Sequence, residues 1–314
     1  MASFFLFHSL VRAFSRNFPA GKLVFCCAAA VLAAVLATGC ERRPAADPSA
    51  VRDDFGQEVL PGVARRIISL NPATTEMLFA IGAGDRVIGR TTWDSYPDFV
   101  RLIPDMGPGL RPNLEVVIAA KPDLVILYAS ADNRPAADRL RALGISTLAV
   151  KNDSIGDLAR TLRLLGIVTG DSVRAAIVAD SVAATLDRVR AATKGRSRPT
   201  AFWYIWDSPL ITIGRGSYMS ELLEIAGARN LYDDMTVPSP SVTLEDVVRR
   251  NPDVVIAGPD GTRNLSTDAR WLALPAVRAG RIIVADTALV AKPSVRLGEA
   301  AVSLARMLHP GIEL

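Results

Sequence analysis

The stretch NLEVVIAAKPDLVIL, residues 113–127, returns 130 residues later as TLEDVVRRNPDVVIA, residues 243–257, with seven of fifteen positions identical. Both copies keep a glutamate, Glu115 and Glu245, and a Pro-Asp pair, Pro122-Asp123 and Pro252-Asp253. Asn113 and Thr243 have the chemistry of helix N-caps, and a carboxylate in the first helical turn is favoured by the helix dipole. Two carboxylates on twin halves would also make a two-point electrostatic grip on a basic partner, setting orientation and encounter rate. Residue chemistry alone leaves both readings open.

A second set of residues suits a bulky ligand. Trp93, Tyr96, Tyr128, Trp206 and Tyr218 stand in loops that follow apolar strands or beside them, and Ser239 lies in the similar loop PSPS. Aromatic side chains of this kind pack against a large flat or amphipathic molecule. Each taken singly also reads as a half-buried packing residue. Trp93 is singled out because TTWDSYPDF belongs to an excess of about fifteen residues that only the first copy carries. Arg90, Arg111, Arg215 and Arg263 could grip carboxylates in a fork, or simply be solvated on the surface.

Absences narrow the chemistry. The histidines are His8 and His309, and the cysteines Cys26, Cys27 and Cys40 all fall in the first forty residues. Cys-His and Ser-His catalytic arrangements are therefore closed, and a bare-metal site built on His or Cys is disfavoured. GAGDRVIG resembles a dinucleotide loop but ends a helix instead of opening one. No metal site, catalytic residue or cofactor is expected, although an isolated pair of carboxylates would keep an enzyme among the alternatives.

The N-terminus reads as a targeting signal. Arg12, Arg16 and Lys22 precede LVFCCAAAVLAAVLATG, which is uncharged and ends directly before Cys40. That apolar stretch is short for a membrane span, which needs roughly 20 residues. Small residues followed by cysteine make residues 1–39 look like a lipoprotein signal peptide, with Cys40 as lipid acceptor; an uncleaved anchor helix is the alternative. The protein is then expected to be lipid-anchored to a membrane, facing the periplasm or the cell exterior. Residues 40–52 read as a polar, Pro- and Ala-rich tether, and DDFGQEV as a small hairpin around Gly56. Without residues 1–39 the formal charge falls from +4 to +1, which gives a nucleic-acid partner no support.

The rest alternates helix and strand. RIISL, DLVIL and STLAV in the first half, and AFWYI, DVVIA and RIIVA in the second, are apolar runs without a polar face. Such strands are buried on both sides, which means parallel sheets covered by helices. Two further stations repeat: TEMLFAIGAGDRVIG with SELLEIAGARNLYDD, aligning Glu76 with Glu221, and LRALGISTLAV with AVRAGRIIVAD. The expected fold is α/β, with two similar α/β/α lobes, residues 53–170 and 196–314, each holding a core of its own. Residues 171–195 carry no proline, and no glycine before Gly195, and predict one long helix joining the lobes as a stiff strut. The cleft between the lobes is the natural ligand site.

RIISLNPATTEMLFAIGAGDRVIG, Tyr96-Pro97, NLEVVIAAKPDLVI, VPSPSVTLEDVV and KPSVRLGEA follow one another in an order and spacing that resembles a known family. It is that of the substrate-binding proteins of ABC importers for metal chelates, the cobalamin and ferric-siderophore receptors, and it covers roughly residues 51–310. The resemblance implies two α/β lobes on a backbone helix and a monomer that moves little on binding. It implies a pre-assembled chelate as ligand, a corrinoid or a ferric siderophore, and an ABC permease and its ATPase as partner. On the matching positions Glu115 and Glu245 would pair with permease arginines. A surface sensor or adhesion lipoprotein on the same scaffold is the competing class.

Overall fold

The computed structural model describes residues 50–314, and Val51–Leu314 form one compact unit. The signal segment, Cys40 and the tether up to residue 49 lie outside the described residues. Backbone pairing starts at once. Arg52 bridges Glu58, and Val59 donates to the Val51 carbonyl at 2.8 Å, closing the hairpin around Gly56. The expected tether thus ends before residue 51, because the hairpin recruits both Val51 and Arg52.

The N-terminal lobe runs β1 (Ile67–Leu70), α1 (Pro72–Ala80), β2 (Val87–Gly89), α2 (Leu114–Ala119), β3 (Leu124–Tyr128), α3 (Arg134–Ala142), β4 (Ser146–Val150) and α4 (Asp157–Thr169). Then α5 (Ser172–Thr193) carries the chain across in 22 residues. The C-terminal lobe repeats the plan with β5 (Thr200–Tyr204), α6 (Tyr218–Ile225), β6 (Arg229–Asn230), α7 (Leu244–Arg250), β7 (Val254–Ala257), α8 (Pro259–Thr267), α9 (Pro275–Arg278), β8 (Ile282–Val284), α10 (Thr287–Val290) and α11 (Leu297–Leu308). The sheets have orders β2-β1-β3-β4 and β6-β5-β7-β8, and every named pairing is parallel. Six strands were legible from their apolar runs. The edge strands β2 and β6 were not, being three and two residues long with no such run.

The helix stops expected at the first repeated station hold, with Gly82 at φ +86° and Gly227 at φ +85°. A side chain with a Cβ is disfavoured there, which is why both copies keep glycine.

The strands alternate between two apolar environments, and this corrects the expectation of one core per lobe. In β3, Leu124 and Ile126 face a central cluster, while Val125 and Leu127 face an outer one. In β5, Ala201 and Trp203 face the same central cluster, and Phe202 and Tyr204 a second outer one. Residues of α4, α5, α6 and α11 complete the centre, among them Leu165, Leu186, Leu222 and Leu304. Each sheet therefore shares its inner face with the other lobe through the linking helix. A continuous buried core across the lobes resists hinge motion, since close-packed interiors do not deform gradually.

Candidate ligand site and docking face

In parallel βα units ligands gather at the C-terminal ends of the strands. In the C-terminal lobe those ends enclose a cavity of about 580 Å³. Its wall comes from Tyr204 and Trp206 at the end of β5, Gly258 and Asn264 after β7, and Thr287 and Ala291 after β8. The Tyr204 hydroxyl accepts from the Asn264 side-chain amide at 3.2 Å, and burial pushes its phenol above the usual range. Gly261 is required here, because a Cβ would lie 2.6 Å from the Tyr204 ring. Asp207 and Asp260 stand at the rim.

Of the expected ligand residues, Trp206 lines this cavity. Its ring is 61 % exposed, with the indole N–H donating to the Ser208 carbonyl at 3.1 Å. Ser239 is exposed between Pro238 and Pro240, whose carbonyls accept from Gly214 and Thr212. Tyr218 is half-buried against the central core, and its hydroxyl donates to the Val290 carbonyl at 2.7 Å, so it braces the wall from behind. Trp93, Tyr96 and Tyr128 belong to the N-terminal lobe and do not line the cavity. Trp93 is 66 % exposed, on the loop after β2. Tyr128 ends β3, and its hydroxyl donates to Asp153 at 2.6 Å. Burial and that carboxylate both push the Tyr128 phenol up.

The arginines come with their own acids. Arg90 is tied to the carbonyls of Thr91, Arg101 and Ile103 and to Asp105, and so staples its own loop. Arg111 pairs with Asp132, Arg215 with Asp233 and Arg263 with Asp260. Among the described residues no group of three or more His, Cys, Asp or Glu is placed to hold a metal ion.

The repeated glutamates sit where their sequence places them. Asn113 accepts from the backbone of Glu115 and Val116, and Thr243 from that of Asp246, so both are N-caps. A helix that leads into a parallel strand starts at the end of the sheet where the strands finish. Glu115 and Glu245 therefore share the strand-end face of the molecule with the cavity. Both are exposed, and neither enters an ion pair among the described residues.

Sequence reading missed the residues that join the lobes at this face. Glu76 on α1 is 2 % exposed and receives Ser294 Oγ at 2.5 Å and Lys292 Nζ at 3.1 Å from the other lobe. A buried carboxylate in an apolar helix, aligned with Glu221, was the available signal. Glu221 in turn lies beside Ile155 of the N-terminal lobe, the two lining one surface pocket, and burial pushes its carboxyl up.

Comparison with known proteins agrees with the two-lobe α/β fold. A model of the periplasmic binding protein family matches residues 67–289. An ABC transporter substrate-binding lipoprotein of Bacillus subtilis is 29 % identical over 307 residues, 90 % of this chain and 96 % of its own. A vitamin B12-binding protein of Salmonella typhimurium is 30 % identical over 208 residues, 66 % of this chain and 77 % of its own. The vitamin B12 binding protein BtuF of Vibrio cholerae superposes with a TM-score of 0.71 at 24 % identity, over 79 % of this chain and 98 % of its own. The heme-binding protein RhuT of Roseiflexus matches equally well in fold, with a TM-score of 0.71 at 24 % identity over 78 % of this chain and 98 % of its own.

Proposed function

Because the chain belongs to the periplasmic binding protein family, we propose that it captures a metal chelate of the corrinoid class at its strand-end face and presents it to an ABC permease. The charge pattern of the cavity carries this reading. Asp207 and Asp260 stand at its rim, its wall is aromatic and aliphatic, and nearby Arg263 already faces an aspartate. A carboxylate-rich ferric siderophore would meet acids before it met a free arginine. A corrin ring, apolar in its plane and fringed with amides, meets an apolar wall and acceptors for its N–H groups. The relatives named as vitamin B12-binding proteins point the same way.

Haem is the second reading, favoured by the fold of the heme-binding neighbours. Haem needs an axial ligand and partners for its carboxylates. Tyr128 donates its hydroxyl to Asp153, and burial together with that carboxylate pushes its phenol up, which disfavours it as an axial ligand.

Glu115 and Glu245 serve as the two docking points, and a lipid on Cys40 tethers the folded unit to a membrane, facing the periplasm or the cell exterior. Among the described residues no helix is long and apolar enough to cross a membrane. The protein acts as a monomeric carrier without catalysis or a resident cofactor. Calorimetric titration of Val51–Leu314 against cyanocobalamin, haem and ferric siderophores tests the ligand. Tight one-to-one binding of cyanocobalamin is expected. Binding only of haem or a ferric chelate overturns the corrinoid reading, and no binding at all favours a surface sensor on this scaffold.

A further inference from the structure

The segment after β8 in the C-terminal lobe leaves the cavity wall at Val290 and Ala291 and crosses at once to the other lobe. Within five residues it makes four contacts there. Lys292 Nζ donates to Glu76 at 3.1 Å and to Ser95 Oγ at 3.0 Å. Ser294 Oγ donates to the other Glu76 oxygen at 2.5 Å. The Arg296 guanidinium lies over the Tyr96 ring, 4.2 Å from its centroid. Ser95 and Tyr96 follow the turn that carries Trp93 and lie in the excess segment that only the N-terminal lobe possesses.

Burying an ion pair is a poor way to gain stability, since desolvation offsets most of the attraction. The Glu76 side chain is 1 % exposed and that of Lys292 14 %. What such a pair does supply is direction, because ammonium and carboxylate must meet in one geometry. The pseudo-symmetric contact sharpens the point. Glu221, at the position equivalent to Glu76, lies beside the segment after β4 of the opposite lobe, next to Ile155 and Gly156, and enters no ion pair among the described residues. The cation is present on the one side that has a loop to hold.

We propose that residues 292–296 form a strap that positions the loop of residues 91–96 for ligand capture, with Lys292 and Arg296 as positioning residues acting across the lobe boundary. The strap joins the cavity wall to the exposed Trp93 and sets the distance between them before a ligand arrives. A ligand then meets a loop whose ordering cost is already met, so the gain appears mainly in association. This rests on the ligand-capture reading above, but the state of the loop can be read without any ligand.

Four variants test it: Lys292→Met combined with Glu76→Gln, which leaves no lone buried charge; Arg296→Gln; Lys292→Arg; and Glu221→Gln as the control on the opposite side. Backbone hydrogen exchange of the ligand-free proteins is compared at residues 91–96 and in β7. The double variant and Arg296→Gln are expected to speed exchange of the loop about tenfold, roughly 1.4 kcal/mol, with β7 unchanged. Lys292→Arg should keep the slow wild-type rate, and Glu221→Gln should leave the loop unaltered. With cyanocobalamin as probe, stopped-flow tryptophan fluorescence should show slower association in the first two variants. Unchanged loop exchange in folded variants overturns the strap, and so does faster exchange with unchanged association and dissociation rates. If the wild type binds no cyanocobalamin, the corrinoid reading falls and the exchange data alone decide the strap.

Discussion

At the scale of residues, the repeated stretch holds a structural clamp and an exposed glutamate in each copy. Asp123 accepts from the backbone N–H groups of Arg65 and Arg66 at 2.9 and 3.0 Å, just before β1. Asp253 accepts from the Thr200 backbone at 2.8 Å and its hydroxyl at 2.7 Å, at the start of β5. The two Pro-Asp pairs thus clamp equivalent strand entrances. The Thr200 hydrogen bonds hold the Asp253 carboxyl below the usual carboxylate range. A depressed folded pKa contributes stability that is present above the unfolded value, near 4, and is lost as pH falls through the folded one. Asp253→Asn should therefore cost about 1 kcal/mol at pH 7. The gap from wild type should close as urea titrations are repeated toward pH 2. Glu115 and Glu245 enter no ion pair among the described residues; each stands in the first turn of its helix, where the dipole favours a carboxylate, and each is exposed, as the proposed docking role requires. The repeat was legible because identity at fixed spacing is a sequence property. That the aspartates clamp strands was not, since Arg65 and Thr200 lie more than fifty residues from their partners.

At the scale of elements, the strut is the part where sequence and structure agree most closely. Residues 171–195 were expected to be helical, and α5 spans Ser172–Thr193. Local propensity decides such a segment, because no glycine or proline competes with it. Ala183 is exposed at mid-helix. Ala183→Pro should cost about 3 kcal/mol or more and Ala183→Gly only about 1 kcal/mol, read by urea denaturation. The packing of α4 on α5 is set by Gly166, where a Cβ would lie 2.8 Å from Ser172 Cα and 2.9 Å from Ala175 Cβ. Gly166→Val should destabilise by about 2 kcal/mol or more, as overpacking against backbone does. Equal stability of Gly166→Val and wild type would mean the helices can separate freely.

At the scale of the whole molecule, the shared core makes a thermodynamic statement. Leu186 of α5 packs in one cluster with Ile126 of the first sheet and Trp203 of the second. Calorimetry of Val51–Leu314 should show one cooperative transition, with calorimetric and van't Hoff enthalpies equal. Two resolved transitions would mean the lobes fold apart. The proposed docking face belongs to the same scale. Glu115→Ala with Glu245→Ala should leave ligand affinity unchanged and lower ligand delivery to membrane-embedded permease. The wild-type advantage should shrink as salt rises, because exposed charges are screened.

The sequence by itself determined the duplication, the parallel α/β character, the strut, both N-caps and the face that carries Glu115 and Glu245. All of these follow from periodicity, local propensity or short-range capping, which are encoded within a few residues. Tertiary structure alone decided that the lobes share a core and that the cavity belongs to the C-terminal lobe. It also decided that Glu76 meets Lys292 and Ser294 more than two hundred residues away. Those outcomes depend on which of two apolar faces a strand turns inward and on where distant loops converge, and neither leaves a periodic trace in the chain.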